Sequence, residues 1–176
     1  MLFDNDLDVY VIQDYLATSL KNDTDFITAC NTLLGKQLNY VTDAPFNDID
    51  LLPELPYCSL HGGDENQDLR IDAWGHTYEI VLVFGIEDTT SSKNQTPPSS
   101  TVDGIVKYTS SRLIEQLAKE ALKSIKGKMS LSGINGDYDI MLISANGVKT
   151  PTGEASDMNY ILTLTFGYLD DINKGC

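Results

Sequence analysis

Two histidines, His61 and His76, are the residues of this sequence with the best case for chemistry. The segment between them is rich in acidic residues, namely Asp64, Glu65, Asp68 and Asp72. Imidazole nitrogens and carboxylate oxygens are common ligands of divalent metals. These acids nevertheless lack the one-three-five spacing and the closing glutamate of a calcium-binding loop. The sequence therefore favours a solvated acidic loop, and we expect no metal ligands.

A nucleophile paired with a base is the next possibility. Cys58 and Ser59 precede His61 and suggest a nucleophile with a base. Because residues i and i+3 of a strand point to opposite faces of a sheet, no catalytic dyad is expected there. The Gly-Lys pair at 35–36 lacks the upstream glycine of a phosphate-binding loop. We expect no catalytic residue and no cofactor, so the chain is predicted not to be an enzyme.

The three cysteines Cys30, Cys58 and Cys176 are odd in number and widely spaced. No CxxC pair is present, which argues against a zinc knuckle or a redox motif. Reduced thiols in a cytoplasmic setting are the natural interpretation.

Composition indicates a globular chain with a strong negative charge. The 176 residues include 41% hydrophobic and 22% charged residues, which is close to the globular average and enough for a sizeable core. The 26 acidic residues against 12 basic ones give a formal charge of −14, which argues against gripping a nucleic-acid backbone. No apolar run is long enough for a bilayer, so no membrane association is expected. The acidic N-terminal residues predict no cleavable signal peptide.

Helical periodicity appears in three segments. Residues 6–20 and 110–126 each place apolar side chains at spacings of three and four, and a shorter helix is predicted over 25–34. Thr24 or Asp25 is expected to cap the short helix, and Gly35 to end it. Glu115 and Lys119 have the favourable order for an ion pair one helical turn apart.

Alternating or continuous apolar residues predict the strands. They are expected over 37–41, 55–60, 76–87, 138–144 and 160–168. The strand over 76–87 is apolar on both faces at its centre, which predicts an interior strand. The fold class is therefore α+β, with residues 1–176 forming one domain in which a mostly antiparallel sheet has its helices packed on one face.

Two long polar segments interrupt these elements. Residues 88–103 are rich in Ser, Thr and Pro without apolar periodicity, and predict a flexible loop. Residues 146–157 are expected to form a polar arm between the last two strands. A compact domain of this size does not need two such connections, and a loop as long as 88–103 is expected to be functional or disordered.

The order of these elements resembles that of the tail terminator, or tail-completion, proteins of long-tailed bacteriophages. The resemblance covers most of the chain: an N-terminal helix, a short helix ending at residues 33–35, an extended segment at 39–41, a long strand, one long helix and a final hairpin. Its best marker is the segment 55–62, which includes Leu-Pro-Tyr, followed by an acidic turn and by Gly-His-Thr-Tyr-Glu at 75–79. The loop over 88–103 and the arm over 146–157 are longer than is usual for that family.

This resemblance implies a virion structural protein at the tail or neck, made in the host cytoplasm during assembly. Such proteins form a ring, commonly a homo-hexamer, at the head-proximal end of the tail tube, where they end tube polymerisation and dock the head-tail connector or neck proteins. DNA would pass through the lumen without specific binding, which an acidic wall would favour.

The two arms are the expected contacts with the tube, the connector or a neighbouring subunit. The candidate interface residues are Asn94, Pro97, Pro98, Lys149, Thr150, Pro151, Thr152 and Glu154. Two other classes remain open: another phage neck, tube or baseplate adaptor, and a small ligand-binding domain or enzyme whose site is assembled from scattered residues. A measurement of particle size would separate an assembling protein from a monomer with a pocket.

Overall fold

Three helices and nine strands make up the described part of the chain. The computed structural model describes residues 9–43, 53–69, 73–87, 99–102, 105–126, 130–133, 136–151 and 157–171. In chain order the elements are α1 (Val9–Asn22), α2 (Thr24–Leu34), β1 (Asn39–Thr42), β2 (Tyr57–Leu69), β3 (Ala73–Glu87), β4 (Ser99–Val102), β5 (Ile105–Tyr108), α3 (Thr109–Lys126), β6 (Ser130–Gly133), β7 (Gly136–Asp139), β8 (Met141–Pro151) and β9 (Asp157–Asp171).

Five strands form the main sheet in the order β1-β2-β3-β9-β8. Every neighbouring pair in this sheet is antiparallel except β1 and β2, which are parallel. The strands β4 and β5 form one separate hairpin, and β6 and β7 form another. The predicted α+β class with a mostly antiparallel sheet is confirmed.

One face of the main sheet carries the helices. Gly62 of β2 lies against Val9 and Gln13 of α1, and Lys149 of β8 contacts α3 on the same face. The inward residues of β3 are fully or almost fully buried there, as its alternation predicts: Tyr78, Ile80, Leu82, Phe84 and Ile86. Because β3 lies between β2 and β9, it is the interior strand that its apolar centre indicates.

The amphipathic stripes of α1 and α3 fall where their periodicity predicts. In α1 the buried apolar residues are Val9, Ile12, Leu16 and Leu20. In α3 they are Ile114, Leu117, Ala118, Ala121 and Ile125. Burying such stripes against the sheet removes apolar surface from water, and this is the main stabilising term of the layer.

The cap of α2 differs from its prediction. Asp23, rather than Thr24 or Asp25, accepts hydrogen bonds from the backbone N–H groups of Asp25 and Phe26 at 2.9 and 3.0 Å. Its carboxylate also accepts from Ser124 of α3 at 2.7 Å, so the cap joins the two helices. The predicted end at Gly35 is confirmed by its left-handed backbone, with φ 71°.

Several predicted loops are strands. The strand predicted to stop at residues 61–64 continues to Leu69. Its pairing with β3 shifts in register between Gly62 and Glu65 and then resumes, so the glycine pair does not end the strand. Residues 99–102 of the predicted flexible loop form β4, while residues 88–98 lie outside the described part. Residues 146–151 of the predicted arm belong to β8 and pair with β9, so the arm is mostly a longer hairpin.

Among the described helices, none is both long enough and apolar enough to cross a membrane.

Candidate interaction surface

The strand β8 lies at one end of the main sheet and has the largest share of exposed apolar side chains. Met141, Ile143 and Val148 expose 68%, 59% and 59% of their surface. The other large apolar residues that are exposed in the described chain are Tyr10 and Val11, in the first turn of α1. Exposed apolar side chains that are grouped on one element commonly mark an interaction surface.

The face of the sheet opposite the helices carries a row of aligned side chains. The pairing registers place Val148, Ile161, Val83, Ser59 and Val41 opposite one another on the five successive strands. Val83 is 4% exposed and Ser59 is fully buried, whereas Val148 is open to solvent. From the buried Val83 at the centre of the sheet, the row therefore becomes more accessible towards β8.

Two glycines let tyrosine rings lie across the sheet. A Cβ atom at Gly85 would lie 2.4 Å from Cε1 of Tyr57, whose hydroxyl is 3.5 Å from Oδ1 of Asn159. A Cβ atom at Gly147 would lie 1.9 Å from the hydroxyl oxygen of Tyr160. Each glycine thus provides the space in which the ring of a neighbouring strand packs.

On the helix side, Lys149 ties β8 to α3. Its Nζ donates to the carboxylate of Glu115 at 3.0 Å and to the hydroxyl of Ser111 at 3.1 Å. Glu115 also accepts from Lys119 at 2.9 Å, which confirms the predicted ion pair. The hydrogen bonds from Lys119 and Lys149 lower the pKa of Glu115 to about 2. The ammonium of Lys149 is therefore directed onto the chain's own helix.

A polar cluster occupies the other end of the sheet. The expectation that no hydroxyl or thiol faces His61 was wrong for Ser59: its hydroxyl and Nε2 of His61 are 2.7 Å apart, because residues i and i+2 of β2 share a face. Gln13 of α1 donates to the carboxylate of Asp43 at 2.9 Å. Burial holds the pKa of His61 below its ordinary value, and the nearby carboxylate of Asp43 partly opposes this shift. Ser59 is fully buried, which keeps its hydroxyl away from any dissolved substrate.

The low pKa of His61 predicts a loss of stability in mild acid. The unfolded chain takes up the proton at a higher pH than the folded chain, so the free energy of unfolding falls as the pH drops below the ordinary value of about 6.5. We expect the free energy of unfolding, measured with urea, to fall less in His61→Gln than in the wild type between about pH 7.5 and about pH 5.5. His76→Gln is the matched control. An identical pH dependence in the wild type and His61→Gln would contradict the prediction.

The two described cysteines are buried in the core beneath the sheet. Burial raises the pKa of the Cys30 thiol to about 11, and burial together with Cys30 raises the pKa of Cys58 further. Both thiols are free and protonated at neutral pH. A protonated, buried thiol is a poor nucleophile, so these cysteines serve packing.

The predicted interface residues are divided between β8 and segments outside the described part. Lys149, Thr150 and Pro151 lie in the last part of β8, opposite Tyr160, Asn159 and Met158 of β9. Outside the described residues lie Asn94, Pro97, Pro98, Thr152 and Glu154. Among described side chains no cluster of three or more potential metal ligands occurs. The backbone of the predicted acidic loop between the histidines is largely strand, in β2 and β3.

The sequence did not reveal the most exposed part of this surface. Met141 and Ile143 fall on the alternate face of a predicted strand, and Val148 falls in the predicted polar arm. The register of β8 shifts between Leu142 and Ser144, which makes Ile143 the additional residue of a bulge. A strand whose apolar residues alternate with polar ones looks the same in sequence whether it is central or at an edge, unlike a strand such as β3 that is apolar on both faces.

Comparison with known proteins finds similarity in structure and none in sequence families or curated sequences. No protein-family model matches the chain, and comparison with curated protein sequences finds no match. Among solved structures the chain is similar to one in a structure titled "Virion of native gene transfer agent (GTA) particle", with a TM-score of 0.41 and 12% sequence identity. The match covers 90% of this chain and 94% of that chain. Function is therefore inferred from the surfaces of this chain itself.

Proposed function

We propose that this chain is a virion structural protein that forms a homo-hexameric ring at the head-proximal end of the tail tube of a long-tailed bacteriophage. The ring ends polymerisation of the tube and presents a docking face to the head connector. The protein acts through its surfaces and has no catalytic role.

The observation that carries this proposal is the outer edge of β8, with which no other described strand pairs. The strand holds three of the five large apolar side chains that are exposed in the described residues, and it is at the end of a sheet. An exposed strand of this kind offers both main-chain hydrogen bonds and apolar surface to a neighbouring chain. Contacts of the head-to-tail type close into a ring when the rotation between subunits allows it.

The element order and the charge also support the proposal. Two N-terminal helices, a long central strand, a single long helix and a final hairpin follow one another as they do in tail terminator proteins. The formal charge of −14 suits a lumen through which DNA passes without adhering. The partners would be other copies of the chain, the tail tube protein and the connector or neck proteins.

The direct test is the mass and the position of the protein. Native mass spectrometry of the protein released intact from tail tubes is expected to give the mass of six copies of the 19.4 kDa chain. Electron microscopy of particles with a tagged copy is expected to place the tag at the head-proximal end of the tube.

Other positions or masses would contradict the proposal. A tag on the baseplate or along the tube would favour another adaptor or tube component. A protein that remains monomeric on the tube and binds a small molecule would favour a ligand-binding domain.

A further inference from the structure

We infer that the β8 edge of one copy pairs with the β1 edge of the next copy, in an antiparallel arrangement that continues the main sheet from subunit to subunit. This inference rests on the proposed ring and names the contact that builds it. The occupant of the exposed β8 strand is therefore a second copy of this chain.

The directions of the strands fit this contact. The strand β1 runs parallel to β2, and the three following pairs across the sheet are antiparallel. The strand β8 consequently runs opposite to β1. When copies are related by rotation about an axis close to the strand direction, β8 of one copy meets β1 of the next as an antiparallel pair, which forms regular hydrogen bonds.

The backbone of β1 has outward-facing groups for such pairing. The N–H of Asn39 donates to the carbonyl of Pro56, and the N–H of Asp43 donates to the carbonyl of Leu60, both at 2.9 Å. Alternate residues of a strand direct their N–H groups to opposite sides. The N–H groups of Tyr40 and Thr42 therefore point away from β2, towards the sheet edge.

The two edges let copies of this acidic chain meet without opposing carboxylates on the paired strands. Neither Asn39–Thr42 nor Met141–Pro151 contains an acidic residue, although the chain has 26 of them. Two copies with a formal charge of −14 repel each other over most of their surfaces, and edge-to-edge pairing is one way to meet without opposing carboxylates on the paired strands. Edge strands are commonly protected by lysine, but the ammonium of Lys149 is bonded to α3.

The regular part of β8 is long enough for this contact. The bulge at Ile143 and the proline at Pro151 limit regular pairing to residues 144–150. The four residues of β1 fit within that stretch. Pairing would also cover Val148, whose side chain is open to solvent in the single chain.

Photo-crosslinking identifies the partner strand. We expect benzoylphenylalanine at Val148 to crosslink to residues 39–42 of another copy, both in concentrated protein and in assembled particles. Mixing unlabelled and ¹⁵N-labelled protein separates crosslinks between copies from those within one copy. Crosslinks from β8 to β8 would indicate a two-fold dimer and overturn the inference. Crosslinks only within a copy, only to another protein, or no crosslinks at all would also overturn it.

Two pairs of matched variants test the edge itself. Thr42→Pro removes an outward N–H group, whereas Thr42→Val keeps it. Val148→Asp adds a carboxylate to the edge, whereas Val148→Asn has a similar shape without the charge. We expect Thr42→Pro and Val148→Asp to weaken association by roughly tenfold or more, and the two controls to assemble like the wild type. Circular dichroism establishes that each variant is folded.

The outcomes separate this inference from the proposed function. Rings of unchanged mass and stability in folded Thr42→Pro and Val148→Asp would overturn the edge contact and leave the ring in place. A wild-type protein that is absent from tube ends would contradict the proposed function, whatever contact joins its copies.

Discussion

Replacing Phe84 with alanine is expected to lower the free energy of unfolding by about 3–5 kcal/mol. Phe84 is fully buried on the interior strand β3, opposite Cys58 of β2 and Tyr160 of β9. Its removal loses the transfer free energy of the ring and leaves a cavity beneath the helices. Urea unfolding measured at one pH gives the change in the free energy of unfolding. The slope of that free energy against urea concentration should be unchanged if the folded state stays compact.

Two variants serve as references for this substitution. Phe84→Leu keeps most of the apolar volume and should cost clearly less than alanine. Val148→Ala removes an exposed side chain on the same sheet and should change the free energy of unfolding by about 1 kcal/mol or less. A cost for Phe84→Ala as small as that for Val148→Ala would contradict the burial of the ring.

Particles assembled without this protein are expected to have tail tubes of uncontrolled length and no attached heads. The reason is that a growing tube adds subunits until a cap of different chemistry covers its end, and the proposed ring supplies both that cap and the docking face. Electron microscopy of lysates measures the distribution of tube lengths and the fraction of tubes that carry a head. Supplying the wild-type chain should restore both.

The matched control for this experiment removes both histidines. Because the protein is proposed to act through surfaces, the folded His61→Ala/His76→Ala variant should restore tube length and head attachment as the wild type does. Failure of this variant despite normal folding and ring formation would indicate a chemical role. Headed particles with tails of normal length in the absence of the protein would contradict the proposed function.

The sequence alone determined those features that depend on near neighbours in the chain. The stripes of α1 and α3 follow from spacings of three and four; α1 buries all of its expected residues, and α3 buries most of them, with Leu113 and Leu122 partly buried. The alternation within β3 predicted its buried face, and its apolar centre predicted its interior position. Gly35 ends α2 because glycine adopts a left-handed backbone at low cost. In each case a local rule decides the outcome.

Tertiary structure decided the features that depend on pairing between distant residues. The glycine pair at Gly62 and Gly63 looks like the end of a strand, yet β2 continues because β3 pairs with it on both sides of an irregularity. Asp23 caps α2 in place of the predicted Thr24 or Asp25. Its carboxylate also accepts a hydrogen bond from Ser124, a residue 101 positions away.

The interaction surface belongs to the same class of feature. Apolar alternation predicted a strand for Met141 and a polar arm for Val148, and only the strand order places β8 at the end of the sheet. The exposure of these side chains therefore depends on which strands have neighbours. Strand order is set by the combined free energy of long-range packing, and the periodicity of a single segment does not contain it.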